Sequence, residues 1–292
     1  STPYYDLPSP LAFGRFYVWR VIAMTDTGVI TGKVQSFGIR FPDGPALALS
    51  GTSANGMSVA MSGQHLLVGT DGAARFYQFD TATGATSPIQ EFTTQTSSWD
   101  SDFGNTVAVD FGKAVVGDPA FDNPADNGGV SYVYRQSQLY GTWEHGGPLL
   151  PATPVLYDSF GKSIAASGNL MLISGSNSAS TIGKVTAHIT EPSTIRTQTF
   201  GANDGVVNDG FGSVIAMEGN QAIISSPGRG SSYSRIPSLY AFTRQTGTGL
   251  WTQTQKIAIS GANSYSTTAT ALALSGSLMA TNNGANSSVV VY

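Results

Sequence analysis

The chain contains no cysteine among its 292 residues, which excludes disulfides, thiolate nucleophiles and thiolate metal sites together. Charge is scarce too. Charged residues make up 11 %, against roughly 25 % in an average soluble protein, and 14 basic residues face 18 acidic ones with no basic stripe. A polyanion finds little to release counterions against, so nucleic acid is excluded as the expected partner. The three histidines, His65, His145 and His188, show no His-x-x-x-His or His-Glu-x-x-His spacing that would bring two zinc ligands together. No apolar run approaches the ~18 residues of a bilayer-spanning helix, so no membrane insertion is expected. The stretch from Ser1 has no positively charged segment leading into an apolar one. With abundant Gly, Ser, Thr and Asn, this predicts an extracellular or cell-surface protein, either a mature secreted segment or a piece of a larger parent polypeptide.

What is present is a repeat. A Gly, a few residues, a Val/Ile/Leu-Ala pair and a closing Gly recur as Gly56–Gly63, Phe103–Gly112, Phe160–Gly168, Phe211–Gly219 and Ala269–Gly276. The spacing is about fifty residues, the size of a propeller blade. After each closing Gly comes a short apolar run (Leu66-Leu67-Val68-Gly69, Ala114-Val115-Val116-Gly117, Ala222-Ile223-Ile224-Ser225), then a turn-rich loop. An aromatic segment follows in several units, such as Tyr132-Val133-Tyr134 or Leu239-Tyr240-Ala241-Phe242, and then a more polar segment that opens twice with Trp, at Trp143 and Trp251. Runs this short, bounded by glycine and without a 3.6-residue period, are strands. Four per unit predicts an all-β chain forming a single closed β-propeller over residues 1–292. About six four-stranded blades are expected, with seven or five as alternatives, and units starting near 13, 56, 104, 161, 212 and 269. The first fifty residues fit as a diverged unit whose fourth strand is Ala46–Leu49, and Pro3–Leu7 is expected to supply the missing outer strand of the last blade and close the ring.

The stretch Phe103-Gly104 through Val116-Gly117-Asp118-Pro119 to Gly129-Val130-Ser131-Tyr132-Val133-Tyr134, and secondly Phe211-Gly212 through Ser226-Pro227, resembles the FG-GAP repeats of integrin α-subunit heads. That resemblance implies a propeller with an adhesion or recognition role. It departs from the family in lacking the Asp-x-Asp-x-Asp-Gly calcium loop between first and second strands, where only a turn such as Ser62-Gly63-Gln64 is present. No cofactor is expected. Asp118, Asp122, Asn123, Asp126 and Asn127 form one acidic loop with oxygens for weak calcium binding, although a solvated turn is the simpler reading.

In a propeller, the loops after fourth strands and those from second to third strands emerge on one face. On that basis Trp99, Asp100, Phe121, Asp122, Tyr157, Asp158, Tyr233 and Tyr265 are the expected ligand-binding residues. Aromatic planes beside carboxylates suit a glycan or a protein hot spot. Against this stands local packing of each aromatic under its own loop, and Asp102, Asp158 and Asp209 are also placed to bond turn amides. No Gly-x-Ser-x-Gly elbow stands between a strand and a helix. The expected function is therefore a non-catalytic binding or adhesion module for a protein or glycan. A self-assembling structural subunit of a filament, wall or particle is second, and a carbohydrate-active enzyme third. Trp143 and Trp251 are expected to pack between blades, and Asn286-Ser287-Ser288 is a glycosylation sequon.

Overall fold

The computed structural model describes residues 16–19, 22–25, 28–31, 35–38, 56–80, 85–93, 101–122, 125–137, 141–175, 182–190, 195–228, 236–259, 269–283 and 288–291. Every regular element among them is a strand. Contacts group the chain into two compact units, Ser1–Ser50 with Asp80–Thr86, and Gly51–Phe79 with Ser87–Tyr292.

In the smaller unit, β1 (Phe16–Trp19) pairs antiparallel with β4 (Gln35–Gly38), and β2 (Ile22–Thr25) with β3 (Gly28–Thr31). The expected strand at 46–49 and the ring-closing segment 3–7 lie outside the described residues.

The larger unit carries the repeat as five consecutive antiparallel blades, one of the counts the sequence leaves open. Blade 1 is β5 (Gly56–Ser62), β6 (His65–Thr70), β7 (Ala73–Phe79) and β8 (Thr86–Thr93). Blade 2 is β9 (Thr106–Asp110), β10 (Lys113–Asp118), β11 (Val130–Gln136) and β12 (Trp143–Leu149). Blade 3 is β13 (Ile164–Ser167), β14 (Leu170–Gly175), β15 (Lys184–Thr190) and β16 (Ile195–Phe200). Blade 4 is β17 (Ile215–Glu218), β18 (Gln221–Ser226), β19 (Ser238–Arg244) and β20 (Trp251–Ala258). Blade 5 shows β21 (Leu272–Ser275), β22 (Leu278–Asn283) and β23 (Ser288–Val291). The first strands of successive blades are neighbours in sequence order, which is the radial stacking of a propeller.

Local chemistry sets these elements. First and second strands are joined by two-residue turns, four of which begin with glycine at positive φ: Gly63, Gly168, Gly219 and Gly276, at 56–59°. That conformation costs glycine nothing and is the one a tight hairpin needs. The inner strands are apolar on both faces because each blade is covered on two sides. Leu172, Val185 and Ala187 of blade 3 join Ile224, Tyr240 and Phe242 of blade 4, while Met171 and Ile173 on the opposite face of blade 3 join Val115, Val133 and Leu149 of blade 2.

Both tryptophans expected between blades are there, and a glutamine of the preceding blade clamps each one. The Trp143 amide donates to Gln90 Oε1 (2.9 Å) while Gln90 Nε2 donates to the Trp143 carbonyl (3.0 Å). Gln198 treats Trp251 identically, at 2.7 and 3.0 Å.

Candidate functional site

The loop leading from blade 2 to blade 3 lies against the second-to-third-strand loop of blade 2. The Tyr157 amide donates to the Asp126 carbonyl (2.9 Å), Ser159 to Asn127 (3.0 Å) and Phe160 to Gly128 (3.1 Å). Four of the sequence-predicted residues, Phe121, Asp122, Tyr157 and Asp158, thus sit on two loops stitched together, whereas Trp99, Asp100, Tyr233 and Tyr265 lie outside the described residues. Their roles differ. Phe121 is half-buried and Asp122 is exposed, its Oδ1 accepting the Asn127 amide (2.7 Å). Tyr157 projects into solvent from a backbone at φ 59°. Asp118, at the foot of the acidic loop, is fully buried and accepts from the Ser101 hydroxyl (2.7 Å) and the Asp102 amide (2.8 Å). Among the described residues, no three His, Asp or Glu side chains gather as a metal site would require.

Asp158 stands apart, and the neighbouring blades supply the control. In blades 2, 3 and 4 the residue two before the Phe of the Phe-Gly step is Ser101, Asp158 and Asp209. Asp209 is buried and spends its carboxylate on the Val206 amide (3.0 Å) and the Phe211 amide (2.9 Å), and Ser101 Oγ likewise takes the Phe103 amide (3.3 Å). Asp209 thus makes the turn bonds foreseen for it, and in blade 2 Ser101, not singled out from the sequence, makes the corresponding one. In blade 3 the corresponding Phe160 amide is already occupied by the Gly128 carbonyl. Asp158 is thereby released from turn duty, and its carboxylate faces a cleft of about 170 Å³ lined by Pro151, Phe160, Gly175, Lys184, Thr186 and Thr199.

The cleft exists because blade 3 carries small residues where its neighbours carry large ones. Gly175 ends the second strand paired with Lys184, the place held by Asp118 in blade 2 and Ser226 in blade 4. Two residues along the third strand, Thr186 stands where blades 2 and 4 have Tyr132 and Tyr240. Thr199, directly opposite Thr186, shares a hydroxyl–hydroxyl bond with it (3.1 Å). Burial pushes the Asp158 carboxyl up to about 6, with the Lys184 ammonium pulling the other way without reaching ion-pair distance. A half-buried carboxyl raised to about 6 is suited to act as a general base, and Lys184, without an ion-pair partner among the described residues, stands in the same lining.

Farther along the same face of β15, His188 is buried with neither ring nitrogen hydrogen-bonded. It meets the Phe160 ring edge-on (centroids 6.2 Å apart), and desolvation lowers it to about 4. Tyr134 and Phe242 occupy its place in blades 2 and 4. Sequence reasoning missed Gly175, Lys184, Thr186, Thr199 and His188. Aligning the third strands of the blades exposes the departure, Tyr-Val-Tyr and Tyr-Ala-Phe against Thr-Ala-His.

No known family's sequence profile matches this chain, and no curated protein does. Solved structures do. It superimposes on a protein from Lactobacillus plantarum with a TM-score of 0.54 at 13 % identity, covering 95 % of this chain and 81 % of that one. Two further matches, provisionally named 6-phosphogluconolactonases, come from Bacteroides uniformis (TM-score 0.52, 13 % identity, 89 % and 72 % covered) and Bacteroides fragilis (0.52, 12 %, 97 % and 82 %). At such identities the likeness establishes the fold, a β-propeller. It also corrects the reading from resemblance. FG-GAP membership does not hold, because no family profile matches and the propellers named above on which the chain superimposes are bacterial proteins, two of them named as lactonases, and not integrin heads. The Phe-Gly and closing-Gly phrases reflect the turns and close approaches of propeller blades. The expectation of a non-catalytic adhesion module falls with it, since two of these folds bear an enzyme's name.

Proposed function

We propose that this propeller is a carbohydrate-acting hydrolase that opens the ester of a small sugar lactone in the cleft at the junction of blades 2 and 3. The observation that carries the reading is Asp158: a carboxyl released from its turn, raised to about 6 and directed into a cleft beside Lys184. The lactonase names of two superimposable propellers supply the substrate class. A cleft of about 170 Å³ suits one ring and not an extended glycan, being smaller than the roughly 300–1,000 Å³ of pockets for larger ligands.

In this reading Asp158 accepts a proton from a water as its oxygen attacks the lactone carbonyl carbon. The exposed Lys184 ammonium balances the negative charge gathering on the carbonyl oxygen. The ring C–O bond then breaks, the leaving oxygen takes up the proton, and the products are a hydroxyl and a carboxylic acid. Thr186 and Thr199 offer hydroxyls to the sugar, and Pro151 and Phe160 an apolar wall.

The test is hydrolysis of glucono-δ-lactone and of 6-phosphogluconolactone, measured against the spontaneous rate. The expected activity rises with pH through a limb near 6 and falls by about 10²–10⁴-fold in Asp158→Asn, the usual worth of a general base. Activity unchanged in Asp158→Asn would overturn the proposal.

A further inference from the structure

The two tryptophan clamps are built alike and lined differently. At the junction of blades 1 and 2, the residue paired with Trp143 on the third strand is Gln136. Its amide is spent on His65 Nε2 (2.8 Å) and the Gly141 carbonyl (3.3 Å), and the His65 ring closes edge-on against Trp143 (centroids 5.6 Å apart). Two residues before the clamping Gln90 stands Pro88. Neither place carries a cationic side chain there.

At the junction of blades 3 and 4, the residue paired with Trp251 is Arg244, and two residues before the clamping Gln198 stands Arg196. Leu170 opens the second strand where blade 1 has His65. The result is an open cleft of about 400 Å³ whose lining includes both arginines, Thr197, Thr248, Gly249 and Trp251. Arg244 Nε donates to the Gly249 carbonyl (3.1 Å), which fixes the guanidinium, and among the described residues its terminal nitrogens have no hydrogen-bond partner. Gly249 gives that group room, because a Cβ there would lie 3.0 Å from Arg244 Nη2. Among the described residues neither arginine has a carboxylate partner. The Trp251 indole Nε1–H is buried without an acceptor among the described residues, as is that of Trp143, so the arginines and not the indole set this junction apart. In a chain of net charge −4 with only 14 Lys and Arg, two uncompensated guanidiniums in one cleft are a local exception to the surrounding field. Their forked donors match the oxygens of a tetrahedral anion, and the Thr197 and Thr248 side chains stand in the same lining.

We propose that this cleft between blades 3 and 4 binds a tetrahedral oxyanion, the phosphate or sulfate group of a ligand, through Arg196 and Arg244. The site is separate from the Asp158 cleft and does not depend on the hydrolase reading.

Isothermal titration of the whole chain with inorganic phosphate, and in parallel with inorganic sulfate, tests it, with chloride as the non-tetrahedral control. The expected result is saturable binding of at least one oxyanion and none of chloride. Affinity should weaken by about tenfold or more in Arg196→Gln and in Arg244→Gln, the scale of losing a hydrogen bond to a charged group, and remain unchanged in Asp158→Asn. Arg196 is exposed and its side chain makes no hydrogen bond or ion pair among the described residues, so its variant keeps the test valid if Arg244→Gln fails to fold. Preference for one ion identifies the ligand's group as phosphate or sulfate. No saturable binding, equal affinity in the Arg196 variant, or an equal loss in Asp158→Asn overturns the proposal.

Discussion

Asp158 lies against Gly175 so closely that a Cβ added to the glycine would sit 2.9 Å from Oδ2 and 3.3 Å from Cδ2 of Phe160. The glycine is there for space, since its counterparts in blades 2 and 4 are Asp118 and Ser226 on the same strand end. Gly175→Ala should therefore displace the carboxylate from the cleft while leaving the strand intact. We expect lactone hydrolysis to fall and the limb near pH 6 to move, with stability reduced by about 1–3 kcal/mol, the usual cost of overpacking. Rate–pH profiles and thermal melts read the two effects separately, and an unaltered profile would refute the placement.

The same carboxyl makes a prediction about stability that needs no substrate. Its pKa is raised from 3.8 to about 6 on folding, so the native state binds this proton more tightly than the unfolded chain. Below about 4 the group is protonated in both states and carries no penalty. Between about 4 and 6 the unfolded chain ionises first and stability declines, and above 6 the whole penalty of a desolvated carboxylate is present. Asp158→Asn is expected to raise the melting temperature well above pH 6 and to leave it nearly unchanged below pH 4. A melting curve shifted equally at both ends would show that the carboxylate is solvated.

Much of this fold was legible in the sequence because one blade's instructions are written several times over. A glycine at each first hairpin, apolar runs such as Ala114-Val115-Val116 and the two tryptophans at matching places each announce their positions. The site was only half legible, for a physical reason. Asp158 and Asp209 stand in near-identical strings, Asp-Ser-Phe-Gly and Asp-Gly-Phe-Gly, and local chemistry predicts the same turn for both. What separates them is the Gly128 carbonyl, delivered by the preceding blade to the Phe160 amide. No local pattern carries that information. The adhesion reading fails for a different reason: glycine phrases that any propeller blade needs do not mark one family.

His188 gives a second pH signal of opposite origin. Buried and without hydrogen bonds, it is depressed to about 4, so protons bind the unfolded chain first as pH falls below about 6.5. Stability drops from there to about pH 4, below which both states are charged and the loss is complete. Replacing it with the residue of blade 4, as His188→Phe, should flatten this acid limb. It should also stabilise the fold at neutral pH by about 1–3 kcal/mol, by removing buried polar atoms that have no partner. Urea midpoints across that range decide it, and a steep limb persisting in the variant would assign the acid sensitivity elsewhere.

The glutamine clamp makes the last prediction, because one side chain answers for two main-chain groups of another blade. Gln90 accepts from the Trp143 amide and donates to its carbonyl, while Trp143 itself is buried against Phe76 with ring centroids 4.4 Å apart. Truncation to alanine leaves the amide and the carbonyl of a buried residue unpaired at a point where two sheets meet. Each unsatisfied group costs about 1–3 kcal/mol, less where water can enter. Gln90→Ala is expected to lower stability by roughly 2–4 kcal/mol. Gln90→Glu keeps the acceptor, loses the donor and should fall between the two. Hydrogen exchange of the Trp143 amide is the sensitive readout. It should accelerate in Gln90→Ala and stay slow in Gln90→Glu, whereas equal protection in all three proteins would show that packing alone holds blades 1 and 2 together.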